Sequence, residues 1–374
     1  MSVLTTPSKA TDDSSVEHAA APPRHNAALD GLRFAAFLSV FLYHTQYQAP
    51  IVKDWVQWGK YGVPLFFVLS GFLIGRILLG LKDSGHGSLG SRLKIFYIRR
   101  ALRIFPVYYA LLVGLALCRV AGMIWYDPPA AIVWHALYLT NLYVYLQHAW
   151  IGGASHLWSL SVEEHFYLIA PLAVLILPLR RLAIGFVALW VGLAIARVWC
   201  WQTGDEFFQY LSPMQFDYLT VGIAAAIVER DSGFLGVGEE RLKRLALASG
   251  ALCIPVLLMA GAPARAAQAF SAAAGQWLLA VAFAGLVMML WRGAGGGLQR
   301  IFSHRAATHL GKISYGLYLF HNFALMICAM VPALAAYHHA FLPIAAFALT
   351  YACAALSWRY LEGPINDLKR RFPY

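Results

Sequence analysis

Asp30-Gly31-Leu32-Arg33-Phe-Ala-Ala-Phe-Leu-Ser-Val-Phe-Leu-Tyr-His44 is the stretch on which the fold turns. Ser39 is the only polar residue between Phe34 and Leu42, yet an arginine stands at one end and a histidine at the other. A segment of this kind reads as a bilayer-spanning helix. Eleven residues of α-helix turn the side-chain direction by roughly 20° net of whole turns, so Arg33 and His44 share a face about 16 Å apart. An ionisable group inside a membrane span is expensive and is a functional candidate by default. The competing structural reading makes Arg33 a snorkelling anchor and His44 an interfacial residue. The pair alone leaves both readings open.

The composition extends the first reading to the whole chain. Of 374 residues, 60% are hydrophobic and 13% charged, and the mean hydropathy is +0.60. Soluble domains carry about 25% charged residues. Several separate apolar runs are each long enough to cross a bilayer, so the expected fold class is all-α, a polytopic membrane helical bundle. The net charge of +11 is a matter of orientation here, since cytoplasmic loops collect Lys and Arg; it does not point to nucleic acid. Cys118, Cys200, Cys253, Cys328 and Cys353 all lie in apolar runs without CxxC or Cys/His spacing. They read as small buried hydrophobes, with no disulfide framework and no metal site.

Residues 1–27, rich in Ala, Ser, Thr and Pro, are expected as a disordered cytoplasmic tail. No signal-peptide pattern opens the chain. Spans are expected near 31–47, 60–82, 104–126, 161–179, 183–201, 208–228, 244–261, 270–291, 312–335 and 340–360. A polar link runs from Gln48 to Gly59, and 366–374 forms a basic cytoplasmic tail. The segment 130–147 is apolar enough to dip into the membrane but carries His135, Thr140 and Asn141. If 127–161 does not cross, only Lys53, Lys60 and Arg265 of the 29 Lys and Arg residues fall outside. Arg33, Arg76, Arg119 and Arg197 then lie within spans, and the rest are cytoplasmic. The positive-inside rule therefore favours about ten crossings with both termini in the cytoplasm. Gly71 and Gly75 form a GxxxG that lets a second helix approach the 60–82 span closely. Ser70 beside it reads as a small packing residue.

Four polar groupings stand where apolar residues would be cheaper. Arg33 with His44 is the first. Arg100-Ala-Leu-Arg103 is the second: positions i and i+3 share a helix face, where two guanidiniums can clamp one phosphate, although an ordinary positive-inside cluster explains them as well. The third is Trp158-Ser159-Leu160-Ser161-Val162-Glu163-Glu164. Ser161 and Glu164 have the spacing of a capping box, which accounts for Glu164 and leaves Glu163 unexplained. The fourth is Ser314-Tyr315-Gly-Leu-Tyr318-Leu-Phe-His321, with Asp217 as a separate acid; Tyr318 and His321, at i and i+3, can hydrogen-bond to each other, which accounts for them as satisfied core residues as well. An imidazole is the usual general base for a hydroxyl nucleophile, and Glu163 or Asp30 is the carboxylate that would orient it. From the residues themselves the reading reaches a membrane enzyme or transporter with a histidine/acid site. A transporter would use His44 and Asp217 as a proton relay for a sugar or lipid intermediate.

The order of these pieces resembles the acyltransferase 3 family, the integral-membrane O-acyltransferases of bacterial surface and exported sugars. The resemblance covers about 28–365. It is carried by Leu29-Asp30-Gly31-Leu32-Arg33 through His44, Phe66-Phe67-Val-Leu-Ser70-Gly71-Phe72, and Arg100-Ala-Leu-Arg103-Ile-Phe-Pro106. It continues through His156-Leu-Trp158-Ser159 to Tyr167, Ile313-Ser314-Tyr315 to His321, and Glu362-Gly-Pro364. The resemblance implies a ten-helix bundle in the bacterial cytoplasmic (inner) membrane. It implies acyl-CoA, usually acetyl-CoA, as a cytoplasmic donor substrate with no tightly bound cofactor. The implied acceptor is a carbohydrate or glycolipid hydroxyl. His44, Glu163, Arg33 and Asp30 are then the catalytic candidates, and Arg100 and Arg103 the CoA-binding ones. Trp158, Tyr315, Tyr318 and His321 are the candidates for binding substrate. His165 stands where the family commonly has Gln, and Gly363 where Arg is more usual. Some relatives carry a fused C-terminal hydrolase-like domain, which is not expected here.

Overall fold

The computed structural model describes residues 26–45, 57–85, 87–120, 122, 128, 130–150, 152–230, 239–259, 264–332 and 341–374. The tail expected over 1–27 and the link from Gln48 to Gly59 lie largely outside the described residues. Every regular element among the described residues is helical. Helix α1 spans Ala27–Thr45. Asn26 caps it, its Oδ1 accepting from the backbone N–H of Ala28 at 3.0 Å and that of Leu29 at 3.3 Å. The same side chain donates to the carbonyl of Trp291 at 3.1 Å. The cap thus fixes where α1 begins and ties it to the end of a distant helix.

Helix α2 is Gly62–Ser84 and α3 is Leu89–Val120. The sequence suggests that α3 starts near residue 104, because 83–103 is polar and basic. It starts about four turns earlier, and Arg99, Arg100 and Arg103 lie within it. Long basic side chains are good helix formers, so the helix runs beyond the apolar stretch before it ends. The ambiguous segment breaks into α4 (Ala131–Ala136) and α5 (Thr140–Gln147), joined through Tyr138 at a φ of 55°. Each is too short to span a bilayer.

Next come α6 (Trp158–Ile176), α7 (Leu179–Thr203) and α8 (Phe216–Arg230). Helices α9 (Glu239–Leu258) and α10 (Arg265–Phe270) lead to α11 (Gln276–Trp291). The short α12 (Gly296–Phe302) and α13 (Arg305–Lys312) precede α14 (Ser314–Ala329) and α15 (Phe341–Ser357).

Six helical stretches among the described residues are long and apolar enough to cross a membrane: Trp58–Ser84, Leu89–Val120, Ser155–Ile176, Leu179–Thr203, Arg265–Trp291 and Phe341–Arg371. The sequence suggests about ten. The difference lies in α1, α8, α9 and α14. Helices α8 and α14 have 15 and 16 residues, about 24 Å of helix against a hydrocarbon core of about 30 Å. Helix α9 opens on Glu239-Glu240-Arg241, and α1 contains Asp30, Arg33 and His44.

The apolar surface faces outward. On α7, Ile184, Val187, Val191 and Ile195 are each more than half exposed, as a lipid-facing helix requires. The polar residues turn inward. Arg197 of α7 pairs with Asp217 of α8 at 2.8 Å, and Arg76 of α2 pairs with Glu229 of α8. Helices α2 and α8 touch backbone to backbone. A Cβ on Gly71 would lie 2.0 Å from the carbonyl oxygen of Leu219. The GxxxG is therefore a packing seam between these two helices.

Candidate active site

Helix α1 enters the centre of the bundle with its first turn pinned. A Cβ on Gly311 of α13 would meet the carbonyl oxygen of Asp30 at 1.9 Å, so only glycine lets α13 lie that close. Asp30 is buried and forms a salt bridge with Arg33 one turn later. That pairing holds the Arg33 side chain at the wall of a cavity of about 850 Å³. Arg100 and Arg103 of α3 line the same cavity, as do Glu163 of α6 and Tyr315 and Tyr318 of α14. Arg76, Arg99 and Arg370 add further positive charge, Lys369 lies beside them, and Phe66, Leu69, Leu73 and Ile77 of α2 supply an apolar side. Glu163 is the only acid among the described lining residues.

The Glu163 carboxylate accepts a hydrogen bond from the Tyr167 hydroxyl at 3.2 Å. That hydroxyl lies 2.6 Å from Ser70 Oγ. Glu163 thus sits among the arginines and Tyr167, and no hydrogen bond joins it to His44. Ser161 does not cap α6: the helix begins at Trp158, and the Ser161 hydroxyl bonds back to the carbonyl of Leu157 at 3.3 Å. The capping box suggested by the sequence is absent, and Glu164 Oε1 is buried with no hydrogen-bond partner. Arg100 Nε is likewise buried without a partner.

Tyr318 closes one side of the cavity. Its hydroxyl lies 2.6 Å from Ser159 Oγ and donates to the carbonyl of His156 at 3.1 Å. The histidines gather next to this layer. His44 Nδ1 and His321 Nε2 are 2.7 Å apart. His321 Nδ1 is 2.6 Å from the carbonyl oxygen of Tyr318. The His156 ring lies 5.0 Å from that of His321, edge to face.

Residues 26–359 match the acyltransferase domain that defines the acyltransferase 3 family. The chain belongs to that family. It is 28% identical over 377 residues to the peptidoglycan O-acetyltransferase OatA of Listeria monocytogenes, covering 91% of this chain and 55% of the relative. It is 27% identical over 369 residues to a putative O-acetyltransferase of Staphylococcus aureus, covering 92% and 58%. It is 26% identical over 370 residues to the putative peptidoglycan O-acetyltransferase YrhL of Bacillus subtilis, covering 92% and 55%. The chain thus spans little more than half the length of these relatives. No solved structure matches it.

Within this acyltransferase domain the candidates suggested by the sequence fall into two groups. Arg33, Arg100, Arg103, Glu163, Tyr315 and Tyr318 share the cavity. His44 and His321 share a hydrogen bond in the adjoining histidine cluster. Trp158 lines neither: its ring packs edge-on against Phe67 and Tyr210. Tyr315 is held by its hydroxyl on the carbonyl of Ile104 at 2.9 Å. The sequence reading named Tyr167, Ser159 and His156 within a motif but gave them no role at the site. The i+4 spacing from Glu163 would have pointed to Tyr167. His156 carried no such local signal, because its partners are backbone carbonyls at Gly153 and Leu319.

Proposed function

We propose that this domain transfers an acyl group, acetyl in the first instance, from acyl-CoA to a hydroxyl of a sugar-containing acceptor of the cell envelope. The observation that carries the reading is the cavity that collects Arg33, Arg100 and Arg103 one side-chain layer from His44. Acyl-CoA is a polyanion at its nucleotide end and apolar along part of its arm. Guanidiniums bind phosphate bidentately, and the cavity offers them opposite the apolar side of α2. The names of the relatives favour a peptidoglycan sugar as the acceptor.

In this mechanism Arg100 and Arg103 hold the CoA phosphates, and Arg33, steadied by Asp30, adds to the same positive field. The thioester end lies toward Tyr318 and Ser159. His44 removes the proton of the acceptor hydroxyl, and the oxygen attacks the thioester carbonyl. The C–S bond breaks, and the departing CoA thiolate takes the proton back from His44. Glu163 holds Tyr167 and balances part of the arginine charge. In the proposed topology the chain crosses the cytoplasmic membrane about ten times, α1, α8, α9 and α14 included. Both termini then face the cytoplasm, which leaves the large majority of Lys and Arg on that side.

The transporter alternative has less support, because one of its two relay residues is held in an ion pair. Asp217 is fully buried and committed to Arg197 at 2.8 Å, and it accepts the backbone N–H of Tyr218 at 2.9 Å. The test uses membranes containing the protein, radiolabelled acetyl-CoA and solubilised peptidoglycan glycan chains. Label should move to the glycan, with free CoA thiol released in step. His44→Ala should lower the rate by about 10²–10⁴-fold while the protein still folds. Full activity in folded His44→Ala protein would remove the base assignment.

A further inference from the structure

His321 lies on α14, 277 positions along the chain from His44, and is fully buried. Its Nδ1 stands 2.6 Å from the carbonyl oxygen of Tyr318. A carbonyl oxygen can only accept, so the proton of this contact belongs to Nδ1 of His321. The ring is packed among aromatic neighbours, Phe37 at 5.9 Å and His156 at 5.0 Å. A dry setting of this kind supports the neutral form. A neutral imidazole protonated on Nδ1 has a bare lone pair on Nε2, and that is the atom facing His44.

The contact with His44 then has one assignment. His321 Nε2 accepts, so His44 Nδ1 carries a proton and donates it across 2.7 Å. The ring geometry fits such a bond. The two planes are within 8° and the centroids 5.0 Å apart. That separation is the N···N distance plus one ring radius at each end. The rings therefore lie edge to edge in a common plane, as an N–H···N bond requires. His44 is left with its lone pair on Nε2, the nitrogen away from His321.

We infer that His321 is a positioning residue, which fixes His44 in the tautomer that presents Nε2 as the base. This rests on the reading of His44 as the general base. The chain Tyr318 carbonyl–His321–His44 does the work a carboxylate does in a Ser-His-Asp triad: it sets the ring's direction and tautomer and receives a hydrogen bond when the ring becomes cationic. The acids suggested by the sequence for this part are engaged elsewhere, Asp30 with Arg33 and Glu163 with Tyr167. His156 does not compete for His321. Its Nδ1 and Nε2 face the carbonyls of Gly153 and Leu319 at 3.0 and 3.1 Å, and the neutral ring donates to one of the two. The Tyr43 ring, 5.7 Å from that of His44, is a further titratable neighbour among the described residues.

Two measurements test this. In ¹⁵N-histidine-labelled full-length protein in nanodiscs, the His44 signal, assigned by its loss in His44→Ala, should show a protonated Nδ1 and an unprotonated Nε2. The opposite tautomer overturns the inference, whatever the enzyme's activity. In the transfer assay with acetyl-CoA and peptidoglycan chains, His321→Leu should lose about 10²-fold in kcat while KM for acetyl-CoA stays within about twofold. His321→Gln, whose side-chain oxygen can accept from His44 Nδ1–H, should recover about tenfold over the leucine variant. Parental kcat in folded His321→Leu also overturns the inference. If instead His44→Ala is fully active, the base reading fails, and the labelled spectrum still decides the tautomer.

Discussion

On one side of the Tyr318–Ser159 hydrogen bond lies a cavity of about 850 Å³ walled by several guanidiniums and one carboxylate. On the other side three imidazoles are packed against aromatic rings and backbone carbonyls. The first region has room and surplus charge, and Arg100 Nε in it is buried without a partner. In the second, His156 and His321 are buried, and both ring nitrogens of His321 are engaged. An arrangement with unspent donors is built to receive a charged ligand, because those donors gain most when an anion arrives. An arrangement with its donors already spent holds one side chain in one state. The comparison thus separates binding from chemistry, and substitutions on the two sides should separate KM from kcat.

The largest expected effect on the cavity side comes from the arginine pair. Arg100→Ala and Arg103→Ala should each raise KM for acetyl-CoA by about tenfold or more, since a charge-assisted hydrogen bond contributes about 1.5–3 kcal/mol. The effect on kcat should be smaller. Arg→Lys at either position should rescue only in part, because an ammonium cannot form the planar two-bond fork. Isothermal titration with CoA, alongside steady-state kinetics, reads both quantities. Unchanged CoA binding in the double alanine variant would make the pair an orientation signal only and would dissolve the contrast between the two regions.

Glu163→Gln is the sharper probe of where the boundary runs. The sequence alone suggests that this carboxylate orients His44. In the structure it accepts from Tyr167 and lines the arginine cavity. The substitution keeps the side chain's size and the bond to Tyr167 but removes the one negative charge among the described lining residues. One repulsive charge then leaves the site of a polyanion, so KM for acetyl-CoA should fall by up to about tenfold with kcat little changed. A loss confined to kcat, matching that of His321→Leu in size, would move Glu163 to the histidine side.

What the sequence revealed, and what it hid, follows from the range of each interaction. The helical membrane class was legible because lipid exposure imposes apolar runs that composition records. Arg33 and His44 stood out because polar atoms in such a run have no cheap explanation. The close seam at Gly71 was legible for the same local reason. The partner of His44 was not, since His321 is 277 positions away and its own i, i+3 neighbour Tyr318 offered a sufficient local account. That account was half right: His321 does bond to Tyr318, through the backbone carbonyl, while the phenol turns to Ser159. The start of α3 was hidden because helix propensity carried it past the apolar boundary. The capping box at Ser161 misled because such a box needs its serine at the N-cap, just outside the helix, and α6 had already begun at Trp158.

That last failure sets the smallest predicted effect. As a capping partner, Glu164 would be held by the backbone of α6, and glutamine would serve nearly as well. The structure removes that role but leaves the expectation for Glu164→Gln mild, for a different reason. Glu164 Oε1 is buried without a hydrogen-bond partner, and an unpartnered buried carboxylate oxygen is a cost to the folded state. Glutamine keeps the shape, removes the charge and brings an amide that can turn a donor toward nearby oxygens. Transfer should therefore change by no more than about threefold, and the melting temperature should stay level or rise. Thermal unfolding in detergent and the transfer assay, run beside Glu163→Gln, read both. A large loss of kcat in Glu164→Gln with parental stability would show that its unpaired oxygen is aimed at a ligand. The two adjacent acids would then have to exchange roles.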